Sequence, residues 1–232
     1  MEKSKRIKLI QITLIVGLCI VGLSFSSVFH YSSNVKAEKE SLNQNAYLYL
    51  KLERKKIKEQ DVKPFIKIDG KSFTNKEFNE FQVSRNIVEL NNGNSLLSDE
   101  QIKDEFIQNA VLEVEAEKQN IVVDESEAEK FTKHMRQILK QSSDEYAIQF
   151  LQDYLSALGI SEDEYWDRYA VLAYKKALKI SKLKQQFFNE QKAKTKDVNI
   201  DELQKAWEKY QQDLVKKAKV EFIQGSISEE RK

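Results

Sequence analysis

The sequence predicts a mainly α-helical protein, and three features of its 232 residues carry that prediction. Gly occurs six times and Pro once, so turn punctuation is sparse. Charged residues make up 32% of the chain and alternate with apolar ones at spacings of three and four, the period of an amphipathic helix. A capping residue with Glu or Gln three places on recurs along the chain, as Thr74 with Glu77, Ser98 with Gln101, Asp124 with Glu127, Ser142 with Glu145, Ser161 with Glu164 and Asn199 with Glu202. Each such side chain can accept a hydrogen bond from an orphan backbone N–H while the Glu or Gln reaches back.

The N-terminus has its own pattern. Lys3, Lys5, Arg6 and Lys8 stand in residues 1–8, and the 21 residues Leu9–Phe29 carry no charge. At about 1.5 Å per helical residue this stretch matches a hydrocarbon core of roughly 30 Å. The expected order is a cytoplasmic basic tail over 1–8, a transmembrane signal-anchor over 9–29 and a body outside the cell membrane, since a basic flank stays on the cytoplasmic side. Cleavage after Ala37, which closes "VKA", would instead give a secreted body, but the apolar run is longer than the usual signal peptide. The only cysteine, Cys19, follows Leu18 in mid-span, so neither a lipid attachment, an intramolecular disulfide nor a Cys-based zinc site is expected. A net charge of +1 gives no reason to expect nucleic-acid binding.

Residues 30–63 read as a polar helical stalk with Leu42, Ala46, Tyr49, Leu50 and Ile57 as its apolar positions, closed by the single Pro64. Phe65, Ile66 and Ile68 are strand formers, and Asp69-Gly70 is a tight-turn signal leading into a helix. The caps then open helices over 74–91, 98–119, 124–140, 143–157, 161–192 and 199–217, with Gly159 at a C-terminal cap. One face of the third carries Phe131, Met135, Ile138 and Leu139; the fourth carries Ala147, Phe150, Leu151, Tyr154 and Leu158. The longest has a seam of Trp166, Tyr169, Ala173, Lys176, Ile180, Leu183 and Phe187, suited to a partner helix, a second copy of the chain or an elongated core. Val220 and Phe222 alternate with polar residues, so 219–223 is expected to pair with 65–68 in at most a small two-stranded sheet. Residues 224–232 read as a flexible tail.

Chemistry finds little support. Glu162, Asp163, Glu164 and Asp167 crowd beside Tyr165, Trp166 and Tyr169, but Ser161 opens a helix there, and acids in a first turn interact favourably with its dipole. They fan around the axis rather than converging on a cation. His134 has no Cys or Ser/Asp constellation around it in sequence, His30 lies at the membrane exit, and the glycines form no phosphate loop. No catalytic residue, metal site or cofactor is expected.

Two motifs nevertheless point to a family. Asp69, Gly70, Thr74, Glu77 and Phe78 form one; Gly159, Ile160, Ser161, Glu164 and Tyr165 form the other. In this order, and with the closing strand, residues 64–223 resemble the N-terminal chaperone region of SurA-type and PrsA-type extracytoplasmic foldases. The resemblance implies an elongated multi-helix chaperone domain that binds unfolded or exported polypeptides on exposed apolar and aromatic side chains, for which the candidates are Tyr146, Phe150, Tyr154, Trp166 and Tyr169. It departs from the PrsA pattern in lacking a lipobox cysteine and in the nine residues after Ile223, too few for a parvulin isomerase domain. The implied activity is therefore binding without catalysis. The alternative is an adaptor or accessory subunit of a membrane complex holding one dedicated partner; a degenerate isomerase ranks last.

Overall fold

The computed structural model describes residues 44–57, 62–195 and 198–223, apart from the side chain of Tyr146. The expected basic tail, the 9–29 span, the Ala37 cleavage point and the 224–232 tail lie outside the described residues. Among the described residues no helix is long and apolar enough to cross a membrane. The protein is mainly helical with a small three-stranded sheet. In order come α1 (Gln44–Lys56), β1 (Pro64–Ile68), β2 (Lys71–Thr74), α2 (Asn75–Asn91), α3 (Asp99–Lys118), α4 (Glu125–Lys140), α5 (Glu145–Leu158), α6 (Glu162–Glu164), a π-helical turn (Tyr165–Tyr169), α7 (Ala170–Lys194), α8 (Ile200–Lys217) and β3 (Val220–Phe222). Within 64–223, expected as a single SurA-N-like domain, the described residues group into two compact units, which change over inside α2 and α7 and also between helices at 97/98 and 123/124.

The unit containing the sheet takes 62–79, 98–123 and the described residues from 178 onward. Asp69 and Gly70 both have positive φ, 49° and 88°, the conformation that a two-residue hairpin turn of matching twist requires. Lys71–Thr74 therefore pairs back on β1 as a strand, where the sequence predicts that the turn leads directly into a helix. The sheet order is β2-β1-β3, with Ile66 opposite both Phe73 and Phe222. The closing strand was legible; the second strand of the hairpin was not. Asp69 also holds the start of β3, since its amide donates to the Lys219 carbonyl at 2.9 Å and its carboxylate accepts from the Lys219 amide at 2.8 Å. Over the sheet, Phe106 of α3 meets Phe65, Phe73 and Phe78 edge-on at 5.3–6.3 Å.

The second unit takes 44–57, 80–97 and 124–177 and is all helix. Its centre is α5, which is apolar on two faces. Ala147, Leu151 and Leu155 join Met135 and Leu139 of α4 and Tyr165, Trp166, Ala170, Tyr174 and Ala177. Phe150 and Ala157 join Ala46 and Leu50 of α1 and Val83 and Ile87 of α2. The polar stalk is thus corrected in its described part: α1 is a helix, but it lies in the body. Asn86 of α2, itself buried, donates to the Tyr49 hydroxyl at 2.9 Å and accepts from the Leu97 amide at 3.0 Å, fixing that packing with its polar groups satisfied.

The caps fall largely where the sequence puts them. Ser98 and Asn199 form reciprocal boxes with Gln101 and Glu202, and Thr74 with Glu77 does the same. Asp124 and Ser161 accept from the expected amides. The exception is α5, whose cap is Asp144, while Ser142 accepts from the Asp144 amide one step earlier. Gly159, at φ 69°, ends α5, and the Gly159 and Ile160 amides return to the Ser156 and Leu155 carbonyls.

Candidate functional site

The acids and rings of residues 159–169 meet the end of α4. Arg136 donates to Glu162 at 3.1 Å and to Asp163 at 2.5 Å. The hydrogen bond from Arg136, with its charge, holds the Asp163 carboxyl below the usual range, and the Asp163 bond in turn raises the guanidinium. Lys140 stands 4.0 Å from Glu162. These acids therefore cap a helix start and bind it to a neighbouring helix. Among the described residues no group of His, Cys, Asp or Glu is arranged to hold a metal.

The rings follow from the π turn. The Ala170 amide reaches the Tyr165 carbonyl, five residues back rather than four, so one extra residue is accommodated in the turn. The wider turn lets two adjacent bulky residues point inward: Tyr165 and Trp166 are both buried, ring centroids 5.3 Å apart and nearly perpendicular. Downstream the buried stripe becomes Ala170, Val171, Tyr174, Ala177, Ile180 and Leu183. The expected seam ran instead through Tyr169, Ala173 and Lys176, which are only half-buried, because it was drawn with an unbroken α period. Its other members do pack inward: Trp166, Ile180 and Leu183 are buried, and Phe187 packs on Trp207 and Tyr210 of α8.

The five candidate binding residues separate accordingly. Phe150 is 3% exposed and Trp166 2% exposed, so neither presents surface to a polypeptide in this conformation. Phe150 is covered because α1 lies on that face of α5; as a stalk it would have left the ring open. Trp166 is in the other cluster, and its indole N–H is buried without a hydrogen-bond partner. Tyr154 is half-buried, touching both clusters and meeting Tyr165 edge-on at 6.1 Å. Tyr169 is half-buried, with the Arg168 guanidinium 5.5 Å above its ring. The Tyr146 side chain lies outside the described residues. Leu172, three residues beyond Tyr169, is 59% exposed and was missed because it falls off the expected seam. Of the five candidates, Tyr154 and Tyr169 therefore keep accessible surface, and Leu172 adds an exposed apolar side chain.

No family model, curated protein or solved structure matches this chain.

Proposed function

We propose that the protein is a membrane-anchored, extracytoplasmic chaperone-like protein that binds unfolded or exported polypeptides without catalysis, its body having the SurA-type chaperone fold and residues 9–29 serving as the anchor. The observation that carries this reading is the order of elements between Pro64 and Phe222. A strand and an Asp-Gly turn lead to a capped helix, further capped helices follow, and a last strand returns to pair with the first. This is the order on which the family resemblance rests. Half-exposed tyrosines beside an exposed leucine suit weak contacts with apolar segments of many sequences, since aromatic side chains supply large contact area at little entropic cost.

A second reading has its own support. Burial of Phe150 and Trp166 leaves fewer exposed rings than a general client surface would use, which favours an adaptor holding one dedicated partner. The two readings separate when the full chain, held in lipid nanodiscs, is incubated with several unrelated unfolding proteins and aggregation is followed by light scattering. The chaperone reading expects suppression for all of them, reduced by the pair Tyr169→Ser and Leu172→Ser. Suppression of none, together with a single membrane partner recovered by crosslinking, would replace it with the adaptor.

A further inference from the structure

The outer face of α1 carries a feature that packing within the unit does not use. Its inner face, Ala46 and Leu50, is buried against α2 and α5. The opposite side of the helix holds Gln44, Asn45, Leu48, Lys51, Leu52, Lys55 and Lys56, all exposed. Leu48 and Leu52, one turn apart, are 47% and 61% exposed. Lys51 and Lys55 flank them on the same face, and Lys51 lies 5.9 Å over the Tyr47 ring. The one acid of the helix, Glu53, sits off this face, half-buried, and pairs with Lys56 at 2.5 Å.

We propose that this face lies on an anionic lipid bilayer, with Leu48 and Leu52 entering the headgroup region and Lys51 and Lys55 meeting lipid phosphates. Two observations select a bilayer. A leucine pair ringed by lysines, with no carboxylate on the face, complements a surface that is apolar below and negative above. Fourteen residues, 30–43, also separate the uncharged stretch 9–29 from Gln44. Those residues reach at most about 50 Å even fully extended, so a chain anchored by that stretch holds α1 within that distance of the membrane, where the face can reach it. The inference rests on the anchoring part of the proposed function.

The test uses the full chain with Cys19→Ser and a polarity-sensitive fluorophore on Asn45→Cys, or on Lys130→Cys of α4 as the control. The protein is reconstituted into vesicles of phosphatidylcholine, with and without phosphatidylglycerol. The proposal expects a blue-shifted emission at position 45, quenched by nitroxide-bearing lipids and stronger with phosphatidylglycerol, and a water-like emission at position 130. Leu48→Ser with Leu52→Ser should cut the quenching several-fold with helicity unchanged, and Lys51→Gln with Lys55→Gln should remove its dependence on phosphatidylglycerol. Protein that floats with the vesicles while position 45 stays water-like overturns this inference and leaves the anchor standing. Protein that does not float overturns both. A blue shift without lipid, accompanied by crosslinks between copies at position 45, assigns the face to a second copy and overturns the proposal.

Discussion

Tyr210 links pH to the packing of α8. Burial first, and then the Glu115 carboxylate beside it, push its phenol up from 10.0 to about 12. Its hydroxyl donates to Glu115 at 3.1 Å and accepts from Gln119, which itself takes a bond from Gln186. The folded state keeps a proton that the unfolded chain releases from about pH 10. This contribution to stability is therefore complete below pH 10 and is lost as pH rises toward 12. Urea denaturation across that range should show stability falling more steeply in the wild type than in Tyr210→Phe; equal slopes would contradict the assignment. Trp166 makes a second residue-scale case. Replacing this buried ring with Ala should cost about 3–5 kcal/mol in chemical denaturation. Trp166→Phe should cost less than half as much, because it also removes an indole N–H that is buried and unpaired, a group whose orphaning costs about 1–3 kcal/mol.

At the scale of elements, the π turn is the feature to probe. It accommodates one residue more than an α-helix, so removing the exposed Asp167 should close the turn to α geometry and leave α7 in register. Removing Lys175 from the interior of α7 should instead rotate the following stretch by about 100° and turn Ala177, Ile180 and Leu183 out of their contacts. Circular dichroism and thermal melting should find the first deletion folded and cooperative and the second strongly destabilised. This turn also marks a boundary of what the sequence discloses. Caps at Thr74, Ser98, Asp124, Ser161 and Asn199 were legible because they depend on residues three positions apart. At α5 two good capping residues, Ser142 and Asp144, stand side by side in the same loop, and the nearer one prevailed. The π turn was illegible because any stripe drawn at a fixed period assumes that the period never changes. The hairpin strand Lys71–Thr74 was missed because four residues hold too short an alternation to stand out before a strong cap.

Over the whole molecule, the largest difference between sequence and structure concerns α1. Its buried stripe is only Ala46 and Leu50, while the remainder is polar, basic or half-buried, so it reads as a solvated stalk. Once it packs in the all-helical unit, Phe150 becomes core and the candidate surface contracts toward Tyr154, Tyr169 and Leu172. Phe150 is thus interior through one misplaced helix, while Trp166 lies in the core as the first residue of the expected seam. The acidic cluster at 162–164 was read correctly as a helix start, but its partner Arg136 was not foreseeable, since 26 residues separate it from Glu162.

The central claim is that this helical body binds unfolded polypeptide without selecting one sequence. It is tested most directly by fluorescence anisotropy of a labelled, permanently unfolded polypeptide titrated with the full chain in nanodiscs. Weak, saturable binding is expected, competed by a second unfolded polypeptide of unrelated sequence and weakened by Tyr169→Ser with Leu172→Ser. No binding at saturating protein, or binding that unrelated unfolded chains fail to compete, would contradict it.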